Sequence, residues 1–339
     1  MPAPPPLLLV LDGNSLLHRA YHAAATGRLL DQLDRPVWAL KGLVGYLARA
    51  AARLRPDAVR VGFDCPDQSR RKDEYPLYKA HRPDKPADLA QQIIAAPDLL
   101  RTTGVCTVVH TGFEADDVLA SSAAQARESG WRCVLMTSDR DAFALIDDST
   151  SVLRVRNGGF DEAVMVTPES LQDVYGVSPA QYRDYAALRG DPSDNLHGVR
   201  GFGSATAARL LATFGSIEAA WVALDGGDHD AVRAAVGAHA SEHFFGPKAR
   251  ETVGRNRSLM RMHADLPMPG LDTARLPLEL GIMKQALAVR GIRLGPSLWA
   301  LTGGSQPPDG TPAYAPRQWV RRRGLGRPRD PIPGQLALF

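Results

Sequence analysis

The chain has 339 residues, 44% of them hydrophobic, with a formal net charge of +3. That length and composition suit one large domain plus a smaller one with real cores, and exclude a disordered or fibrous protein. Three cysteines without a CxxC pair exclude a disulfide scaffold and suit a reducing cytoplasm, and no apolar stretch approaches transmembrane length.

The N-terminal PPPLLLVLD has the apolar run of a signal peptide but neither its basic start nor its cleavage site, so it reads as a first strand ending at Asp12. A helix is expected from Val37 to Leu54, then a strand VRVGF ending at Asp64. The pattern next breaks into a polar, basic, aromatic segment, DCPDQSRRKDEYPLYKAHRPDKP. ADLAQQIIAAPDLLRTTG reads as a helix interrupted at Pro97, followed by the strand VCTVVH, the helix EADDVLASSAAQARESG, the strand CVLMT and a short SVLRVR. This alternation predicts an α/β fold with a mostly parallel central sheet flanked by helices. After Thr167 the character is helical, with short helices expected from Ile217 to about Leu301, then a Pro/Gly-rich linker. The expected division is an α/β domain at 1–166 with a basic segment at 65–86, a helical region at 167–302, and a basic tail at 303–339. That tail holds six Arg against Asp309 and Asp330.

Carboxylates cluster at the predicted strand ends. Asp12 and Asp64 close two strands, Asp139 and Asp141 follow a third, GFEADD carries Glu114, Asp116 and Asp117, and RGDPSDN carries Asp191 and Asp194. Any one of them alone could simply cap a helix or mark a turn. Ligands of open α/β sheets bind outside the carboxyl ends of strands, where this much like charge needs cations. Hard oxygen donors without Cys or His pairs point to Mg²⁺ or Mn²⁺. Two ions roughly 4 Å apart would suit phosphodiester hydrolysis.

Arg70, Arg71, Lys72, Lys79, Arg82 and Lys85 are interleaved with Tyr75 and Tyr78 in the segment that leaves the Asp64 strand end. A charge run is usually a solvated loop. This one must hang over the acidic site, where cations could clamp a phosphate and aromatics stack on unpaired bases. In GVRGFGSATAARLL, Gly198, Gly201 and Gly203 precede a helix whose N–H groups favour an anion, a weak signal alone that gains weight beside Asp191 and Asp194.

Taken in order and spacing, LVLDGNSLLHR, VGFD with YKAHR, GFEADDVLA, LMTSDRDAF and GDPSDNLHGVRGFGSATA resemble the 5′-nuclease (flap endonuclease) superfamily with its PIN-like fold. The likeness is greatest to the 5′→3′ exonuclease domain of bacterial DNA polymerase I and covers about residues 7 to 300. The resemblance implies one ion held by Asp12, Asp64, Glu114 and Asp116. A second would be held or supported by Asp139, Asp141, Asp191 and Asp194, with Asp117 nearby. It makes 65–86 an arch over the site, with Lys79 and Arg82 its catalytic pair. It makes 191–214 a helix-hairpin-helix element that grips duplex DNA, often with K⁺ on backbone carbonyls, and Arg200 belongs to that surface. Where the family commonly has a stacking aromatic this chain has His18, with Arg19 and Tyr21 beside it as further DNA-contact candidates, and His197 stands where Pro is usual.

The final QLALF resembles the bacterial sliding-clamp-binding peptide, with Gln335, Leu336, Leu338 and Phe339 as anchors. The expected protein is a free-standing, monomeric, cytoplasmic 5′→3′ exonuclease and 5′-flap endonuclease acting on flaps, nicks and RNA primers. One rival is a non-cutting junction-binding protein that recruits the clamp; another is a related nuclease fold acting on RNA.

Overall fold

Strands with apolar residues on both faces need covering on both sides, and LLLVLD is buried along its whole length. The computed structural model describes residues 4–23, 29–157 and 159–306, with the backbone of 317–318. Its main sheet contains β1 (Leu7–Asp12), β2 (Ala58–Phe63), β3 (Cys106–Val109), β4 (Arg132–Thr137), β5 (Thr150–Arg156) and β6 (Gly159–Val166). The spatial order is β3-β2-β1-β4-β5-β6; the first five strands are parallel and β6 returns antiparallel to β5. The short strand read in SVLRVR is therefore half of a hairpin. The 317–318 backbone pairs in parallel with β6.

Alternate residues of β1 feed opposite cores: Leu8 and Val10 on one face, Leu7, Leu9 and Leu11 on the other. The second face is covered by α1 (Gly13–Ala23), α2 (Trp38–Leu54) and α4 (Ala87–Thr102). Helix α4 runs through Pro97 without the expected interruption. Burial of Leu89, Ala96, Leu99 and Leu100 on one of its faces offsets the hydrogen bond that Pro cannot make. Between β2 and α4 lies a one-turn helix, α3 (Arg70–Glu74), capped by Ser69.

The first face is covered by α5 (Ala115–Glu128) and a helical array. That array comprises α6 (Pro168–Tyr175), α7 (Pro179–Arg189), α8 (Ser204–Phe214), α9 (Ile217–Asp225), α10 (His229–Val236), α11 (Ala238–Phe244) and α12 (Pro247–Leu259). Between α7 and α8 a tight hairpin pairs β7 (Gly190–Asp191) with β8 (Leu196–His197).

The expected helical region does not hold together out to residue 302. After α12 the chain crosses to the other side of the sheet, where α13 (Leu280–Val289) and α14 (Trp299–Thr302) complete the second core with Met283, Leu287, Ile292, Leu298 and Leu301. Leu276 donates its N–H to Asp57 O at 2.9 Å, and Leu278 donates to Leu301 O at 2.8 Å. Residues from about 275 onward therefore belong with the α/β part, a pairing that short apolar helices do not announce in sequence. Among the described residues, no single helix is long and apolar enough to cross a membrane.

Candidate active site

Parallel strands put their carboxyl ends on one side of a sheet, so Asp12, Asp64 and the Asp139–Asp141 turn meet there. Asp12 is 4% exposed; Ser15 N donates to its Oδ1 at 2.9 Å and Thr137 Oγ1 to its Oδ2 at 2.7 Å. Burial, with Asp64 adding like charge, pushes its carboxyl up to about 6. Asp64 accepts from Ala115 N at 2.8 Å, at the start of α5, and is also raised by burial and by Glu114. The backbone N–H of Asp64 is held by Asn14 Oδ1.

The N-terminal turn of α5 carries the next three acids, and they differ sharply. Asp116 has a buried Oδ1 without a partner, and burial together with Asp139 and Asp12 raises its carboxyl well above the ordinary range. Glu114 is the N-cap; its Oε2 accepts from Lys79 Nζ at 2.8 Å and from Tyr78 OH at 3.2 Å. Burial opposes its charge, yet Lys79 and Arg71 beside it hold it below its usual range. Asp117 is fully buried and points away from this pool, accepting a two-pronged bond from Arg71 at 2.8 and 2.9 Å. It takes the Glu114 and His263 N–H groups as well. Asp117, expected in the metal set, has its oxygens on these donors in the structure.

On the β4 side, Asp139 Oδ1 accepts from Asp141 N at 3.0 Å. Asp141 is raised well above its ordinary range by burial, then by Asp139, Asp191 and Asp194. The β7–β8 hairpin supplies the last two: Asp191 accepts from Ser193 N and Oγ, both at 2.8 Å, and Asp194 accepts from Arg82 Nη2 at 2.7 Å. The like-charge neighbours form one linked series: Glu114 acts on Asp64, Asp64 on Asp12, Asp139 and Asp12 on Asp116, and Asp139, Asp191 and Asp194 on Asp141. Asp116 and Asp139 thus join the acids of β1, β2 and α5 to those of the β4 turn and the hairpin.

Hard oxygen donors, an unpartnered buried Asp116 oxygen and two strongly raised carboxyls make this donor set fit divalent cations. Among the described residues no three of them already surround one point as a ligand shell. Side-chain cations and hydrogen-bond donors occupy several of the oxygens instead.

The basic segment folds down onto the acids. Lys79 adopts φ 55°, and its N–H donates to Asp194 O at 3.0 Å. Burial would lower its ammonium, but Asp194, the Tyr78 phenol and Glu114 keep it charged, well above the usual lysine range. Arg82 also donates to Ser193 O at 3.0 Å, so the pair ties Glu114 to Asp194 of the hairpin.

Tyr78 and Arg71 do not face nucleic acid as expected. Tyr78 is 3% exposed, in the core and bonded to Glu114, and Arg71 is spent on Asp117 and on the Leu259 and Arg261 carbonyls. Tyr75 is half-buried beneath the Arg255 guanidinium, and Arg70 lies over the Phe113 ring. Lys72, Lys85 and Arg200 are exposed.

On α1, Tyr21 donates to Asp88 at 2.8 Å and stacks near Trp38, and Arg19 bonds Asn157. His18 keeps a buried, unpartnered Nδ1; burial, then Lys85, His22 and Arg82, lowers its imidazole to about 4, so it is neutral.

The three glycines of the hairpin turn have separate reasons. A Cβ at Gly198 would sit 2.2 Å from the Arg189 carbonyl, and Gly201 has φ +86° with Ala240 behind it. Those two serve close backbone packing. Gly203, ahead of α8, has open space around it. Sequence reasoning missed Ser15, whose backbone N–H bonds Asp12, and the Thr137 and Ser193 hydroxyls that bond Asp12 and Asp191; the only available signal was their position one to three residues from a strand-end or turn acid. Gln335, Leu336, Leu338 and Phe339 lie outside the described residues.

The profile described as 5′–3′ exonuclease, N-terminal resolvase-like domain, matches residues 7–176; the 5′–3′ exonuclease, C-terminal SAM fold, matches 177–279. Over 272 residues the chain is 38% identical to DNA polymerase I of Mycobacterium tuberculosis, covering 80% of this chain and 29% of that protein. DNA polymerase I of Thermus thermophilus is 35% identical over 261 residues, 77% of this chain and 29% of that one. The chain thus spans under a third of the length of these curated relatives.

Among solved structures, T5 D15 protein co-crystallised with metal ions shares the fold with a TM-score of 0.60 at 19% identity, covering 84% of this chain and 99% of that one. The catalytic core of Rad2 in complex with DNA substrate does so at 0.54 and 15%, covering 88% and 92%. With the two profiles meeting end to end across both the sheet and the hairpin-bearing helices, the chain belongs to the 5′–3′ exonuclease family.

Proposed function

We propose that this chain is a structure-specific 5′→3′ exonuclease and 5′-flap endonuclease that hydrolyses phosphodiesters of DNA and RNA primers at single-strand/duplex junctions, in replication and repair. The observation that carries this reading is the convergence of the acids at one end of the sheet beneath Lys79 and Arg82. Asp12, Asp64, Glu114 and Asp116 would hold one divalent cation, Mg²⁺ or Mn²⁺; Asp139, Asp141, Asp191 and Asp194 would hold or support a second. Such ions, when bound, polarise the phosphodiester, activate water and neutralise the leaving oxygen.

The chain's own residues do the rest. Lys79 and Arg82 clamp the scissile phosphate, and their permanent charge stabilises the charge that develops as water adds and the P–O3′ bond breaks, leaving a 5′-phosphate. Ser15, Thr137 and Ser193 hold Asp12 and Asp191 in fixed orientation. Neutral His18, on α1 beside Arg82 and Lys85, offers a flat ring to a base near the cut. Gly203 and the N-terminus of α8, with exposed Arg200, take duplex phosphates, which gives binding by shape rather than sequence. Backbone carbonyls of the 198–203 turn would hold a K⁺ there.

The QLALF end would dock on a sliding clamp, with the protein acting as a monomer in the cytoplasm, a setting its three free thiols suit.

Cleavage of a 5′-labelled flap duplex with Mg²⁺ or EDTA tests the activity. Junction cutting only with Mg²⁺, reduced to background in Asp139→Ala while flap binding persists in Ca²⁺, is the expected result. Tight binding without cutting would make it a junction-binding protein instead. Phe339→Ala should weaken clamp association roughly tenfold or more and leave cleavage of free flaps unchanged; undiminished association would remove the docking assignment.

A further inference from the structure

We propose that Asp117 and Arg71 are positioning residues: together they lock the base of the arch and the strap after α12 onto the helix turn that carries Glu114 and Asp116. This rests on the nuclease reading above and assigns Asp117 a role other than cation ligand.

Asp117 is fully buried, and each of its oxygens already accepts two hydrogen bonds. Oδ1 takes Arg71 Nη2 at 2.8 Å and His263 N at 2.9 Å; Oδ2 takes Arg71 Nη1 at 2.9 Å and Glu114 N at 3.0 Å. Four donors fill the roughly four acceptor sites of a carboxylate, so none is left for a cation. Arg71 is equally committed. Beyond its fork on Asp117, its Nε donates to Leu259 O at 2.9 Å and its Nη2 to Arg261 O at 2.8 Å. Only a guanidinium offers donors in that planar arrangement.

Three segments distant in sequence therefore meet on one ion pair. They are α3 at the arch base, the first turn of α5, and residues 259–263. Neighbouring contacts reinforce the same join: Ser258 Oγ donates to Glu74 Oε1, Arg255 lies over the Tyr75 ring, and Ser121 Oγ donates to His263 O. Helix α12 in turn reaches the β7–β8 hairpin, where buried Asn256 donates to Ala187 O and His197 O. The arch base is thus braced from the side that would carry duplex DNA.

The pair also sets what Glu114 can do. Arg71 Nη1 lies 3.5 Å from Glu114 Oε2, against 2.9 Å from Asp117. Asp117 holds the guanidinium off Glu114 and, through the capping box, fixes the Glu114 backbone. Without the Asp117 charge, Arg71 would move onto Glu114 and Lys79 would lose its seat there.

A double-mutant cycle in the full chain tests this with Asp117→Asn, Arg71→Gln and the pair of them. The first readout is limited chymotrypsin proteolysis within residues 65–86, without DNA or metal. Each single variant should speed cutting roughly tenfold, and the double should be no worse than either, the mark of one coupled unit. The second is flap cleavage at saturating substrate: both singles should lower the single-turnover rate by similar factors, with flap affinity in Ca²⁺ unchanged. Arg71→Lys, which keeps the charge without the fork, should fall between wild type and Arg71→Gln and serves where the other variants fail to fold. Additive losses would overturn the proposal. So would an Asp117→Asn protein that needs more Mg²⁺ while Arg71→Gln cuts normally with its arch still protected, since that is the behaviour of a ligand. If the wild type cuts no flap, the nuclease reading fails while the proteolysis cycle still decides this one.

Discussion

The acids at the end of the sheet answer the same problem differently at the rim and on the floor of the pool, depending on what the basic segment can reach. Glu114 and Asp194 are met by Lys79 and Arg82, and the Glu114 carboxyl is held below its ordinary range. Among the described residues, Asp12, Asp116 and Asp141 have no lysine or arginine at ion-pair distance, and their carboxyls are pushed up by burial and by neighbouring acids. Side-chain cations reach the rim of the pool and leave the floor without a cationic partner. The lesson is that the basic segment and the acids are one electrostatic unit. Removing charge should help the fold on the floor and hurt it at the rim.

The largest expected break of that contrast is Lys79→Ala. It should lower single-turnover flap cleavage by roughly 10²–10³-fold and also lower the melting temperature of metal-free protein, because Glu114 loses its buried partner. Asp116→Asn is the matched floor variant. Cleavage should fall as well, but the metal-free melting temperature near neutral pH should rise by roughly a few degrees, because the variant removes a carboxyl that is buried and crowded by Asp139 and Asp12. Melting temperatures moving in the same direction for the two variants would refute the rim-and-floor distinction.

A further test is in pH. Asp12 has its folded value raised from 3.8 to about 6, so the folded state holds a proton that the unfolded state has lost. Its charging therefore costs stability progressively between about pH 4 and 6, and the cost is complete above 6. The metal-free stability of Asp12→Asn, minus that of wild type, should grow across this window and then level off. A flat difference would mean that Asp12 is not under that strain.

Much of this arrangement was legible because it depends on local pattern. Apolar runs of strand length ending in Asp predict both the parallel sheet and the end at which acids gather. Strand β6 was not legible: in GFDEAVMV a glycine and two exposed acids resemble a turn, and only pairing with β5 makes it a strand. Pro97 misled for the opposite reason, since its local cost is outweighed by apolar contacts made far along the chain. Within the site, carboxylates could be found by type and spacing, but their division of labour could not. Asp116 and Asp117 are adjacent and chemically identical, and one faces the pool while the other is buried on Arg71. Likewise an arginine that clamps phosphate and one that braces a helix look alike until partners such as Leu259 and Asp117 are known.

The crossing of the sheet after α12 has a consequence for the order of events during synthesis. Asp57 and Ala58 lie early in the chain, yet they bond Leu276 and pair with Arg275, and the core beside them is closed by Leu298 and Leu301. A ribosome delivers β1 and β2 long before those partners exist, and so large a loop closes slowly. The α/β half therefore has to wait, partly uncovered, for the whole helical array to be made before its own second face can shut. In kinetic terms the molecule has two regions but a single finishing step.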